Sequence, residues 1–174
     1  RMAEPEEIAA HVADLWVARE DLAGRKILVT AGPTVEEIDP VRFISNRSSG
    51  KMGYAIAKQA KRRGASVWLI SGPTALQHPP GVELRPVRSA VDMLQTCEVL
   101  FEEVDMAIMT AAVADFRPVE TSKEKLRREG ETLTLELVAN PDIAAHLGRR
   151  KQHQVLIGFA METDGNLERA QRKM

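Results

Sequence analysis

KILVTAGPTVEEIDPVRFISNRSSGKMGYAIAKQAKRRGASVWLISGPT, residues 26–74, is the stretch on which the reading of the fold turns. Residues 27–30 are a short apolar run stopped by AGPT. Residues 50–63 follow a helical pattern closed by Gly64. Residues 66–70 are a second apolar run, stopped by SGPT. Strands apolar on both faces, joined by a helix, predict a parallel sheet covered on both sides. Downstream the rhythm continues: a helix over 89–103, a buried strand within 105–116, a helix over 141–149 with Asn140 as cap, and a strand over 155–159. One insertion breaks it. Residues 123–131 are charged, and LTLELV (133–138) alternates like a half-exposed strand. The expected architecture is α/β: a three-layer, Rossmann-like, doubly wound and mostly parallel sheet, with an inserted mobile arm and an antiparallel strand. Upstream, residues 4–20 read as a helix, with Pro5 in its first turn and Ile8, Val12, Leu15 and Trp16 at helical spacing. Residues 166–174 carry a last helical pattern.

The bulk properties narrow the function classes. At 174 residues the chain is long enough for one domain with a sizeable core. A formal net charge of -1 implies no broad basic field, which argues against binding to a nucleic-acid backbone. No apolar run has bilayer length and no signal-peptide pattern opens the chain, so no membrane partner and a cytoplasmic location are expected. Cys97 is the only cysteine, so neither an internal disulfide nor a cysteine zinc site can form. The histidines at 11, 78, 146 and 153 lack metal-ligand spacing. Cys97 sits among apolar neighbours and reads as an inert buried thiol. Both ends of the sequence look cut, and a piece of a longer chain is expected.

In doubly wound sheets ligands bind beyond the carboxyl ends of the strands. AGPT, TAAVAD and GFAMET all fall there. VTAGPTVEEID lacks the G-x-G-x-x-G of dinucleotide folds, and SNRSSGKMG has Ser45 and Met52 where a P-loop needs Gly and Ser/Thr. G-x-S-x-G is absent as well. ISNRSSGKMG (44–53) nevertheless has the parts of an anion site. Ser48 and Ser49 can cap the helix, and Gly50 and Gly53 allow backbone to approach a ligand. Asn46 offers an uncharged donor for a carboxylate or developing oxyanion. An ordinary capped loop explains the same residues. TAAVADF leaves a parallel choice: Ala111, Ala112 and Ala114 make room for a flat ring read by the backbone, or for tight helix–sheet packing. Asp115 suits a ribose hydroxyl, a metal or a helix cap. KEKLRR (123–128) is either a solvated face or a cover for a triphosphate. ANPDI (139–143) reads as a turn and cap, and Phe159 as core or as a stacking platform.

In order along the chain, VTAGPTVEEIDPVRFISNRSSGKMGYAIA, SGPT, AAVADFRP, EKL, NPDI and GFAMET resemble the bacterial phosphopantothenate–cysteine ligases of coenzyme A biosynthesis. The opening RMAEPEEI is similar to the tail of the flavin-dependent phosphopantothenoylcysteine decarboxylase, which many bacteria fuse ahead of the ligase. The resemblance implies residues 1–20 as a linker helix left from that upstream domain, to which FMN would be confined. Residues 21–174 would be the ligase domain, truncated at its C-terminal end. The implied activity is CTP-dependent amide formation with magnesium on the phosphates, phosphopantothenate and cysteine as partners, and a homodimer as the working unit. Carried over by motif, Ala111, Ala112 and Asp115 join the nucleotide site, and the resemblance implies Asp115 as a magnesium ligand through the nucleotide phosphates. Asn140, Pro141, Asp142, Ile143 and Phe159 line the base pocket. Lys125 and Lys173 reach the triphosphate, Asn46 holds the activated carboxyl, and Ser48, Ser49 and Gly50 lie beside it. Asn46 and Lys125 are the catalytic candidates. A nicotinamide-dependent oxidoreductase and a non-catalytic dimerisation module are the competing readings.

Overall fold

A computed structural model of the protein describes residues 4, 5, 12, 20–128 and 130–159. The expected helices over 4–20 and 166–174, and Lys173, lie outside the described residues, wholly or nearly so. Five strands form one parallel sheet: β1 (Lys26–Ala31), β4 (Ser66–Ser71), β5 (Glu83–Pro86), β6 (Met106–Met109) and β9 (Val155–Gly158). Their order across the sheet is β5-β4-β1-β6-β9, and every neighbouring pair runs parallel. From β1 the chain steps outward to β4 and β5, then returns to the other side of β1 for β6 and β9. The order therefore reverses between β1 and β6, the switch point where open α/β sheets bind ligands.

Among the described residues three helices cover the faces. In α1 (Lys51–Arg62), Gly53, Tyr54, Ala57 and Ala60 recur at helical spacing and are buried, and Lys61 and Arg62 close the last turn. That stripe packs with Ile27, Val29 and Leu69 into one core. On the opposite face α2 (Ala90–Phe101) and α3 (Ile143–Arg150) pack Met93, Phe101 and Leu147 against Leu28 and Ile70. Alternate β1 residues thus point to opposite cores, as a period of two demands, and both sets are buried. α2 is started by a reciprocal capping box between Ser89 and Asp92.

Two antiparallel ribbons stand outside the sheet: β2 (Val35–Glu37) with β3 (Phe43–Ser45), and β7 (Phe116–Pro118) with β8 (Leu137–Ala139). No element was expected over the first. The second corrects the expected bounds of the strand over 133–138: pairing starts only at Leu137 and is made with β7, so that among the described residues the central sheet is wholly parallel. The alternation of 133–138 announced an antiparallel strand of the second ribbon, though not its bounds or its partner, and the three-residue strands of the first ribbon are too short to show a period. The inserted arm is anchored. Ser122 N–H donates to the Ile38 carbonyl at 3.0 Å, and Thr121 Oγ1 donates to that of Glu37 at 3.1 Å.

Candidate functional site

At the switch point β1 and β6 are continued by loops that remain hydrogen-bonded to each other. Ala112 N–H donates to the Gly32 carbonyl at 2.9 Å, and Thr34 N–H donates to the Ala112 carbonyl at 3.3 Å. Two fully buried threonines finish the junction: Thr30 Oγ1 accepts from Ala111 N–H at 3.2 Å and Thr34 Oγ1 from Ala114 N–H at 2.9 Å. The backbone donors of Ala111 and Ala112, expected to read a ring edge, are therefore committed to the scaffold. What these half-buried alanines leave available is the small bulk of their side chains.

Two asparagines grip the same loop. Asn46, one residue past β3, donates from Nδ2 to the Val113 carbonyl at 2.9 Å, with the Ala112 carbonyl at 3.5 Å. Its amino group faces two acceptors, so Oδ1 is the atom left outward, and no described residue donates to it. The expected donor is thus in place as an acceptor. Asn140 donates from Nδ2 to the Ala114 carbonyl at 2.8 Å, accepts from Arg117 Nη1 at 3.0 Å, and donates its N–H to the Asp115 carbonyl at 2.8 Å. It is a loop clamp, and the expected cap role belongs to Asp142, whose Oδ1 accepts from Ala145 N–H at 2.9 Å. Pro141 is half-buried beside that cap. Ile143 is 4% exposed within the core, so its side chain lines no open pocket.

The start of α1 corrects a second expectation. Its N-cap is Gly50, with φ 73°, and no side chain caps the helix. Ser48 Oγ instead accepts from Gly50 N–H at 3.3 Å, and Ser49 Oγ faces Lys51 N–H at 3.5 Å, both local turns. Gly50 and Gly53 serve internal packing. A Cβ on Gly50 would sit 2.8 Å from Thr74 Cγ2. One on Gly53 would sit 2.5 Å from Thr110 Oγ1 and 2.6 Å from Ala31 Cβ. The close approach these glycines allow is that of α1 to the ends of β1 and β6.

Asp115 and Phe159 are exposed, Phe159 at 55% just past β9. Among the described residues no group of three or more His, Cys, Asp or Glu is placed to hold a metal. A magnesium ion carried mainly by phosphate oxygens needs only one such carboxylate, and Asp115 has the exposure to provide it. Burial pushes the Cys97 thiol up to about 12, with the Glu98 charge adding to the effect.

Lys125 lies elsewhere on the rim, in a cleft of about 530 Å³ with Val41, Arg42, Leu126, Arg127 and Arg128. Its setting depends on a residue that sequence reading missed. Asp39, 0% exposed, accepts at Oδ1 from the N–H groups of Val41 and Arg42, each at 2.8 Å. At Oδ2 it accepts from Arg42 Nε at 2.9 Å and Leu126 N–H at 3.1 Å. Burial pushes the carboxyl upward, but the N–H groups of Val41, Arg42 and Leu126 and the Arg42 charge outweigh it and hold it at about 2. An Asp followed by Pro was the available signal, since such residues bind their own backbone two and three residues on. The structure therefore brings Asn46 and Asn140 together on either side of the 111–115 loop and seats Lys125 against the β2–β3 hairpin.

Residues 22–174 match the family described as DFP, the DNA/pantothenate metabolism flavoprotein C-terminal domain. The chain is 44% identical over 178 residues to the coenzyme A biosynthesis bifunctional protein CoaBC of Bacillus subtilis, which covers 100% of this chain and 44% of that protein. It is also 44% identical over 180 residues to a cysteine/cysteine sulfinic acid decarboxylase from an unknown prokaryotic organism, covering 100% of this chain and 50% of that protein. The crystal structure of a CoaBC C-terminal domain superposes with a TM-score of 0.78 at 48% identity, over 90% of this chain and 72% of that one. The chain spans about half the length of the curated relatives it matches.

Proposed function

The chain belongs to the DNA/pantothenate metabolism flavoprotein C-terminal domain family, and from that premise we propose that it is a ligase of coenzyme A biosynthesis joining phosphopantothenate to cysteine, with CTP as activating co-substrate. The observation that supports this reading is the junction at the switch point, where Asn46 and Asn140 hold the 111–115 loop between them. In the proposed reaction a phosphopantothenate carboxylate oxygen attacks the α-phosphorus of CTP. Pyrophosphate leaves and an acyl-cytidylate forms. The cysteine amine then attacks the acyl carbon, the C–O bond to CMP breaks, and the nitrogen loses a proton. Activation is needed because a carboxylate oxygen is a poor leaving group, and the phosphoryl step needs cations around its charge. Lys125 is the candidate cation for the triphosphate, and Phe159 a stacking platform for the base. Lys173 is proposed as a second cation. Magnesium, when bound, would neutralise phosphate charge beside Asp115. Asn46, with Oδ1 outward, suits the N–H of the incoming amine better than a carboxylate oxygen. Ser48, Ser49 and Gly50 flank it on the pantothenate side.

We read the working unit as a homodimer, fused to an upstream decarboxylase domain. The support for the dimer is apolar surface on the two ribbons, where Phe43, Phe116, Leu137 and Val138 are 40–53% exposed. The test of function is pyrophosphate release from CTP with phosphopantothenate, then CMP release on adding cysteine. CTP-dependent turnover in both stages is expected, and its absence overturns the reading. Lys125→Ala should slow the first stage at least tenfold, the scale of a lost phosphate-charge contact, at unchanged melting temperature.

A further inference from the structure

We propose that Asp39 is a positioning residue for Lys125, coupling the hairpin that leads to Asn46 to the arm that carries the cation. The inference deepens the ligase reading and rests on it for the role of Lys125. The arm enters the rim as an insertion with few apolar anchors, since Lys125, Arg127 and Arg128 are all exposed. Its backbone is nonetheless tied at Leu126 by two bonds of opposite sense. Leu126 N–H donates to Asp39 Oδ2 at 3.1 Å, and the Leu126 carbonyl accepts from Arg42 Nη2. The same guanidinium is held by Asp39 through Nε at 2.9 Å and Nη2 at 2.7 Å. One buried carboxylate therefore fixes both partners of the Leu126 peptide, directly and through Arg42, and Lys125 is the residue next to it. Charge-assisted bonds to a fully buried carboxylate are the strong kind, and past its anchors at Thr121 and Ser122 the arm is held to the hairpin at Leu126.

The tether also joins the two halves of the site. Asp39 and Arg42 form the turn between β2 and β3, with Ile38 N–H and Asp39 N–H both donating to the Arg42 carbonyl. Asn46 follows β3 directly, and Ser45 Oγ secures that end to the Thr34 carbonyl at 2.7 Å. A change at Asp39 is thus transmitted to the cation by the shortest route available, one peptide bond.

The test uses the full-length protein with Asp39→Asn and Lys125→Ala, singly and together, and measures KM for CTP, kcat and the rate of tryptic cleavage at Arg127 and Arg128. If Asp39 acts through Lys125, Asp39→Asn should raise KM for CTP about tenfold in the parent and change it less than about twofold in the Lys125→Ala background. Tryptic cleavage of the arm should quicken about tenfold while the rest of the domain stays resistant. Multiplying effects on KM in the double variant, or unchanged arm cleavage, overturn the proposal. Should Asp39→Asn fail to fold, Leu126→Pro removes the tethered N–H with Asp39 intact and is held to the same two readouts. If the parent shows no CTP-dependent turnover, the ligase reading fails by itself. Arm cleavage then decides the tether alone, accelerated cleavage supporting it and unchanged cleavage overturning it.

Discussion

At the scale of single residues, the polar groups around the switch point divide into those the scaffold uses and those it leaves outward. Thr30, Thr34 and Asn140 belong to the first set, since each hydroxyl or amide closes a backbone group of the 111–115 loop. Asn46 belongs to both, donating inward through Nδ2 and presenting Oδ1. Under the ligase reading, Asn46→Ala should impair CMP release with cysteine far more than pyrophosphate release without it. A rapid-quench comparison of the two stages checks this, and equal losses in both would remove Asn46 from the amine step. Asp39 yields a prediction in pH. Its folded value, about 2, lies below its ordinary 3.8. A depressed carboxyl contributes stability that is complete above the ordinary value and is lost as pH falls through the folded one. The melting temperature of the parent should therefore fall between about pH 4 and pH 2, and Asp39→Asn should flatten that limb. Asn46 and Asn140 were legible in sequence as candidates, whereas Thr30, Thr34 and Asp39 were not, because their partners come from distant loops. Which atom of Asn46 faces outward was not, because that depends on carbonyls 66 and 67 residues away.

At the scale of elements, the rhythm of strands and helices was legible wherever a segment was long enough to show a period. β1, α1, β4, α2, β6, α3 and β9 all lie where apolar spacing put them, to within a few residues. Of the ribbons only an antiparallel strand near 133–138 was legible, and its bounds and pairing were not, because each ribbon strand has three residues. The junction of α1 with the sheet shows how the same glycine supports two sequence readings. Gly53 was compatible with a ligand against the backbone, and the structure puts Thr110 and Ala31 there instead. Gly53→Ala should cost about 1–3 kcal/mol, the usual range for an overpacked site, measured by urea denaturation. A neutral result would mean that α1 can move off β6 without loss. The cap of α3 was misread by two residues because Asn140 and Asp142 are both good caps in isolation. The choice was made by Ala114, whose carbonyl engages the Asn140 side chain.

At the scale of the whole molecule, a parallel sheet whose inner strands β1 and β4 are buried on both faces is joined to two ribbons on which Phe43, Phe116, Leu137 and Val138 are exposed. Under the dimer reading, Phe43→Glu with Phe116→Glu should convert the protein to monomers in sedimentation, with loss of turnover. An unchanged sedimentation coefficient would exclude this face as the interface. Sequence by itself determined the class of fold and the set of segments beyond the strand ends. Apolar periodicity and turn residues are local properties, and a doubly wound sheet follows from them by the handedness and layering of βα units. Tertiary structure alone decided which of those segments are scaffold and which face outward. A backbone donor is free or spent according to what folds beside it, and here the partners of Ala111, Ala112, Asn46 and Leu126 all lie more than sixty residues away in the chain.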